Sequence, residues 1–266
     1  MKRTLTLSAL AALAVLASAC LLPPDWFGES EGESGGEAFY RLVALDPGGT
    51  VQLENALGDI EIRGWDRSEV EIAVEDDQDA SFRGRSWFSS GRRASAPPVV
   101  VESAGGSVKI RADLPERERD IRSLRFTVNV PRSVNLDGIK AKEGDVTIAD
   151  LFGKLRVQLE RGHVQIDNFS GSLDLTVGRG SVEAEILDVR PDDAVKIAAA
   201  EGDISLLMAE DAAVRIKAAA GGTVTSEFDL GLKLPARSVE ARLGGSPAGA
   251  VDLSAPRGSI RLLKSK

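Results

Sequence analysis

From residue 144 the chain alternates apolar and polar positions in blocks of nine that each open on a glycine: GDVTIADLF, GKLRVQLER, GHVQIDNFS, GSLDLTVGR and GSVEAEILD. The third and fifth residues of each block are apolar: Val146 and Ile148, Leu155 and Val157, Val164 and Ile166, Leu173 and Leu175, Val182 and Ala184. Between them stand Thr147, Arg156, Gln165, Asp174 and Glu183. Alternation with period two predicts short strands with one dry and one wet face. The eighth place divides the blocks into two kinds, Leu151, Phe169 and Leu187 in one and Glu160 and Gly178 in the other, so the full repeat is eighteen residues. With looser spacing one kind continues through GDISL at Gly202 and GTVTS at Gly222. The other continues through AVKI at Ala194, AVRI at Ala213 and SVEA at Ser238. Each turn then uses about twenty residues.

Parallel strands covered on both faces read as continuously apolar, which these do not. A solenoid escapes that demand, because each coil packs its inward residues against its own opposite side. The pattern therefore predicts an all-β chain forming a parallel β-solenoid, with glycines at corners where φ > 0 carries no Cβ penalty. An antiparallel meander is the competing arrangement, although the two-residue Asn-Gly or Asp-Gly loops that favour it are absent. Stacking predicts an outward column Arg156, Asp174, Lys196, Arg215. The predicted dry columns are Val146, Val164, Val182, Ile204, Val224 and, opposite, Leu155, Leu173, Val195, Val214.

Upstream the vocabulary is the same but less regular: GTVQL at Gly49, GDIEIRGW at Gly58, EVEIAV at Glu69 and GSVKIRA at Gly106 read as strands, and LRFTVNVPRSVNL leads into the repeats. GDIEIRGWDRSEVEI, then FTVNVPRSVNLDGIKAKEGDVTIADL, then repeated G-x-V-x-I units resemble the bacterial β-strand-repeat domain of unknown function known as "putative adhesin". The resemblance covers nearly all of residues 45 to 266. It implies an exported or membrane-associated protein, and "adhesin" is itself a name by analogy.

The amino terminus points the same way. Lys2 and Arg3 precede an uncharged run from Leu5 to Ala19 that ends in small residues, the pattern of a signal peptide over residues 1–19. It is too short to span a membrane. Cys20, the only cysteine, follows directly, so an intramolecular disulfide is excluded. LASAC resembles the lipobox of bacterial lipoproteins, with Leu16 four residues before Cys20 where the commonest form has leucine three before. The resemblance implies acylation of Cys20 and a lipid-anchored protein facing the periplasm or cell exterior; an ordinary secreted protein is the alternative. Residues 20–38, rich in Gly, Ser, Glu and Pro and carrying Trp26 and Phe27, read as a flexible acidic linker. The β-solenoid domain then occupies 39–266, its most regular coils over 134–266.

Composition narrows the function classes. Only 5% of residues are aromatic, so the core is aliphatic and suits narrow spaces better than deep cofactor pockets. Loss of Lys2 and Arg3 takes the formal charge from −8 to −10, and an acidic body is not drawn to nucleic acid or anionic membrane. No cofactor and no metal are expected. Asp59, Asp145 and Asp203 each follow a corner glycine, but the doubled glycines and paired acids of calcium-binding β-rolls are missing, which favours local turn hydrogen bonds. The one histidine, His163, is predicted one coil from Asp145 and diagonal to Glu183, without an accompanying nucleophile. The stretch over 75–98 breaks the strand rhythm and interleaves Phe82, Arg83, Arg85, Trp87, Phe88, Arg92 and Arg93, a candidate loop for an envelope protein or polysaccharide. The competing reading is a solvated loop. The leading function is a non-enzymatic, adhesin-like binding scaffold of the cell envelope. A structural or self-associating element, its uncapped coil ends pairing between molecules, and a carbohydrate-active β-helix enzyme are the alternatives; Lys264 and Lys266 in the C-terminal GSIRLLKSK point instead to charged protection of that edge.

Overall fold

The computed structural model describes residues 39–76, 97–119, 121–231, 235–245 and 249–265. Among the described residues the fold is all-β, the only helix there being α1 (Glu116–Arg119), and most strand pairs are parallel. The strands are β1 (Phe39–Ala44), β2 (Thr50–Leu57), β3 (Ile60–Trp65), β4 (Glu69–Asp76), β5 (Val99–Ala104), β6 (Ser107–Ala112), β7 (Leu124–Pro131) and β8 (Asn135–Glu143). They continue as β9 (Val146–Arg161), β10 (Val164–Arg179), β11 (Val182–Asp188), β12 (Ala194–Glu201), β13 (Ile204–Met208), β14 (Val214–Ser226), β15 (Ala236–Leu243), β16 (Gly249–Ala255) and β17 (Ile260–Lys264).

Two ladders organise them. Ladder A runs β1, β4, β7, β3, first halves of β9 and β10, β11, β13, β17, second half of β14. Ladder B runs β5, β6, β2, β8, second halves of β9 and β10, β12, β16, first half of β14, β15. From β7 to β14 consecutive stretches of chain alternate between the ladders, one strand on each per rung. Val164 lies beside Val146 and Val182 beside Val164, which is the eighteen-residue repeat of the sequence. Because β9, β10 and β14 each serve both ladders, all strands join in one sheet, within which β10, β11, β13, β17, β14, β16 and β12 close a ring of seven. The inward residues of both ladders form one aliphatic core in which Phe126 and Phe169 are the largest fully buried side chains.

Corner glycines hold the rungs together. Gly162 has φ +134°, and a Cβ there would overlap the carbonyl oxygen of Gly144 in the rung beneath. Both residues stay bound in the ladder, Gly162 N–H donating to Arg179 O at 2.9 Å and Gly144 N–H to Arg161 O at 3.1 Å. Only a residue without a side chain satisfies that φ and that approach together. The aspartates that follow these glycines bond across rungs, not within their own turns as the sequence suggests. Asp59 Oδ1 accepts from Asp145 N–H at 3.0 Å, Asp145 Oδ1 from His163 N–H at 2.8 Å, and Asp203 Oδ1 from Ser259 N–H at 2.7 Å.

The structure departs from the sequence reading at several points. SVEA at Ser238 lies in β15, which pairs antiparallel with β14 at the edge of ladder B instead of adding a parallel rung. The predicted neighbours Lys196 and Arg215, Val195 and Val214, and Ile204 and Val224 are separated, because β16 and β17 lie between them. For the same reason β17, with Lys264, is an interior strand and protects no edge. Leu187 is exposed where Leu151 and Phe169 are buried. Asp150 and Asn168 take positive φ as bulges in β9 and β10, Asn168 Nδ2 donating to Asp150 Oδ1 at 3.2 Å; β11 has no such bulge, so Ile186 pairs with Phe169 and Leu187 turns outward. Strands β1 and β5, which the sequence reading passes over, close the amino-terminal end. Arg41 of β1 reaches across it to donate to Val101 O of β5 at 3.3 Å.

Candidate functional site

Outward residues of ladder B line up across successive strands. One column reads Asp137, Arg156, Asp174, Lys196, Asp252, Lys217, Glu240, with the charge sign changing at every step. Arg156 bridges Asp137 at 2.8 Å and Asp174 at 3.7 Å, and Lys217 reaches Glu240 at 3.7 Å. These pairs are exposed, so each contributes well under about 1 kcal/mol and mainly fixes register. The neighbouring column, Thr176, Ala198, Ser254, Ala219 and Ser238, is small throughout and leaves the charged column standing as a ridge beside a trough.

Three concavities open on this one face. One of 410 Å³ lies between ridge and trough from Asp174 to Glu240. A second, of 460 Å³, follows the strand starts from Thr50 and Asn135 to Lys196. The third and largest, 720 Å³, sits at the amino-terminal rungs, where Arg111, Arg119, Lys140 and Lys142 meet Glu54 and Glu160. Arg111 pairs with Glu102 and Asp113, and Lys140 with Glu54. Ladder B carries no aromatic residue. The outer face of ladder A is more acidic, bearing Glu61, Glu69, Glu71, Asp167, Glu183 and Glu185.

Charge–chemistry features elsewhere are already occupied. His163 is exposed, its Nδ1 3.2 Å from Asp145 Oδ1; Ser181 holds the same place in the next rung. Glu71 accepts from Tyr40 Oη at 2.7 Å and Asn129 Nδ2 at 2.6 Å, and those two hydrogen bonds hold its carboxyl below the usual range. Tyr40 is raised in turn, chiefly by the same bond. Glu210 is lowered by its bond to Lys264 Nζ. Among the described residues no group of three or more His, Cys, Asp or Glu is placed to hold a metal ion, and no helix is long and apolar enough to cross a membrane.

The residues nominated from sequence, Cys20 and the loop Phe82, Arg83, Arg85, Trp87, Phe88, Arg92 and Arg93, lie outside the described residues, as do Trp26 and Phe27. The loop's flanks are placed: β4 ends at Asp76, whose buried carboxylate meets Arg122 at 2.6 Å, and β5 begins at Val99. A family model described as Toastrack DUF4097 matches residues 49–240, most of the chain. The chain belongs to the Toastrack DUF4097 family. The match takes in ladder B from β2 to the start of β15 and stops before β16 and β17. This Toastrack chain is similar to a putative cell adhesion protein from Clostridium sporogenes ATCC 15579, at 12% identity and TM-score 0.48, over 86% of this chain and all of the other. It is also similar to a putative adhesin from Bacteroides fragilis NCTC 9343, at 12% identity and TM-score 0.28, over 85% of this chain and 97% of that one. A search of curated proteins finds no match. The charged column of the Toastrack chain escaped sequence reading beyond Lys196, because Asp252 reaches it from the far end of the chain.

Proposed function

We propose that this Toastrack chain is a non-enzymatic binding scaffold of the cell envelope, a two-sided β-solenoid that presents ladder B to its partner. The observation that carries the reading is that the three concavities share one outer face, along a ridge of alternating charge. Such a ridge suits a partner of complementary charge pattern, and the lack of aromatic platforms favours an envelope protein over a polysaccharide. In this reading the exposed His163–Asp145 pair serves rung-to-rung contact. In this reading Cys20 is acylated, residues 20–38 tether the body outside the cytoplasmic membrane, and the basic, aromatic loop from Phe82 to Arg93 adds a second contact. An acyl anchor with further chains holds a body firmly at a bilayer.

A pull-down from envelope extract tests this with three forms of the mature protein: intact, lacking residues 77–96, and carrying Lys196→Glu with Lys217→Glu. Loss of the partner on charge reversal supports ladder B, and loss on loop deletion supports the loop. Equal recovery by all three removes both surfaces. Mass spectrometry that finds an unmodified Cys20 thiol removes the anchor.

A further inference from the structure

The ridge on ladder B repeats in the cross-strand direction, and that sets what can pair with it. Asp137, Arg156, Asp174, Lys196, Asp252, Lys217 and Glu240 stand one to a strand and change sign at every step. Neighbouring strands lie about 4.8 Å apart, so opposite charges recur at that pitch along a ridge of about 29 Å. An extended peptide laid along it presents same-side residues every 6.6 Å or so, and is out of step by about 11 Å at the far end. A helix presents a face once per turn of about 5.4 Å and drifts by about 3.6 Å. The cross-strand direction of another β-sheet keeps step throughout.

The members of the ridge are not equally satisfied. Arg156 is bridged to Asp137 and Asp174, and Lys217 to Glu240. Lys196 and Asp252, register partners at its middle, are exposed and form no ion pair with each other or with any other described residue. A mate at the same pitch is available in the chain itself. Two copies that face one another are related by a two-fold axis lying in the plane between them. An axis along the ridge would set each charge against its like. An axis parallel to the strands reverses the order of rungs, and where it passes between neighbouring strands every opposed pair in the ridge has opposite signs. The flanking columns then choose the strands. Placed between β12 and β16, the axis would oppose Lys154 and Arg242; placed between β9 and β10, it would oppose Lys109 and Lys217. Placed between β10 and β12, it opposes no like charges in the ridge or in the column on either side.

We infer that a second copy of this chain is the partner that ladder B receives, ridge against ridge about a two-fold axis between β10 and β12. The inference rests on ladder B being the partner-facing side and names the partner. In this dimer Lys196 meets Asp174 of the second copy, Asp252 meets Arg156 and Lys217 meets Asp137, each twice by symmetry. Both residues left unpaired within the chain thereby gain a counter-ion. Beside the ridges Thr176 faces Ala198 of the second copy, so the trough does not hold the two faces apart. Exposed ion pairs are individually weak, so these act together to fix register and select the mate, and salt weakens them.

Sedimentation equilibrium of the mature chain carrying Cys20→Ser tests this. The parent is expected to form a dimer at hundred-micromolar protein in low salt, with a dissociation constant at least about tenfold weaker in 0.5 M salt. Asp174→Lys and Lys196→Asp each create two like-charge contacts in their own dimer, and each is expected to sediment as a monomer with unchanged far-UV circular dichroism. Mixed in equal amounts the two variants restore both contacts, and the dimer is expected to return as a heterodimer. A parent that stays monomeric at millimolar concentration in low salt overturns the inference. So does a dimer that both variants leave intact, or a mixture that stays monomeric. Should the parent be monomeric while Lys196→Glu with Lys217→Glu still loses the envelope partner in the pull-down, the second copy is excluded and ladder B remains the binding face. Should that charge reversal also leave the pull-down unchanged, both fall.

Discussion

Replacing Gly162 with alanine attacks the stacking at its tightest point. At φ +134° an alanine is strained by about 1–3 kcal/mol whatever the space around it. Its Cβ would in addition fall far inside the 3.0 Å that real Cβ contacts keep from other atoms, against the carbonyl of Gly144. Relief requires the two rungs to separate, which pulls on the bonds from Gly162 N–H to Arg179 O and Gly144 N–H to Arg161 O. Leaving one or two buried backbone groups unpaired costs about 1–3 kcal/mol each. Gly162→Ala is therefore expected to lower stability by about 3–6 kcal/mol, a large part of the 5–15 kcal/mol typical of a domain. Gly138 is the matched control: its φ is +106°, but nothing lies within 4 Å of its Cβ position. Gly138→Ala should cost only the backbone strain, about 1–3 kcal/mol. Urea unfolding of the mature chain, followed by far-UV circular dichroism, measures both. Equal losses for the two variants would refute the claim that close approach between rungs, and not the local turn alone, selects glycine.

Other expectations follow from single contacts. Leu262→Ala, though near the chain's end, should destabilise by about 2–5 kcal/mol in the same urea assay, because Leu262 is fully buried in an interior rung. Asp145→Ala should cost about 0.5–1.5 kcal/mol through the lost bond to His163 N–H, while His163→Ala should stay within about 0.5 kcal/mol. Glu71 is depressed in the folded state, so its contribution is present above the ordinary carboxylate range and is lost as pH falls through its folded value. Tyr40→Phe should accordingly lower the thermal midpoint at neutral pH and leave it unchanged in strong acid.

Much of this was legible because the repeat is written twice, in the alternation and in the glycines. Val146, Val164 and Val182 stack as their phase predicts, and Arg156 meets Asp174. What phase cannot encode is insertion. Nothing near Val195 or Ile204 signals that Val251 and Ile260, more than fifty residues on, will lie against them. Leu187 fails for a smaller reason, since a bulge at Asn168 shifts the count by one residue and no apolar pattern marks a bulge. The charged ridge inherits both difficulties. Its first steps follow from the eighteen-residue period, but its middle depends on Asp252 arriving between Lys196 and Lys217. The aspartates after the corner glycines were visible as turn residues, whereas their acceptance of the next rung's N–H needs the stack itself.

Cysteine pairs on ladder A, in a chain carrying Cys20→Ser, test the stacking order most directly. Oxidation should close a disulfide in Gln165→Cys with Glu183→Cys and in Ser205→Cys with Arg261→Cys, whose positions are adjacent, but not in Ser205→Cys with Thr225→Cys, which are held apart by β17. Closure of the 205–225 pair together with failure of the 205–261 pair would mean that rungs stack in chain order, contradicting the interior placement of the last rung.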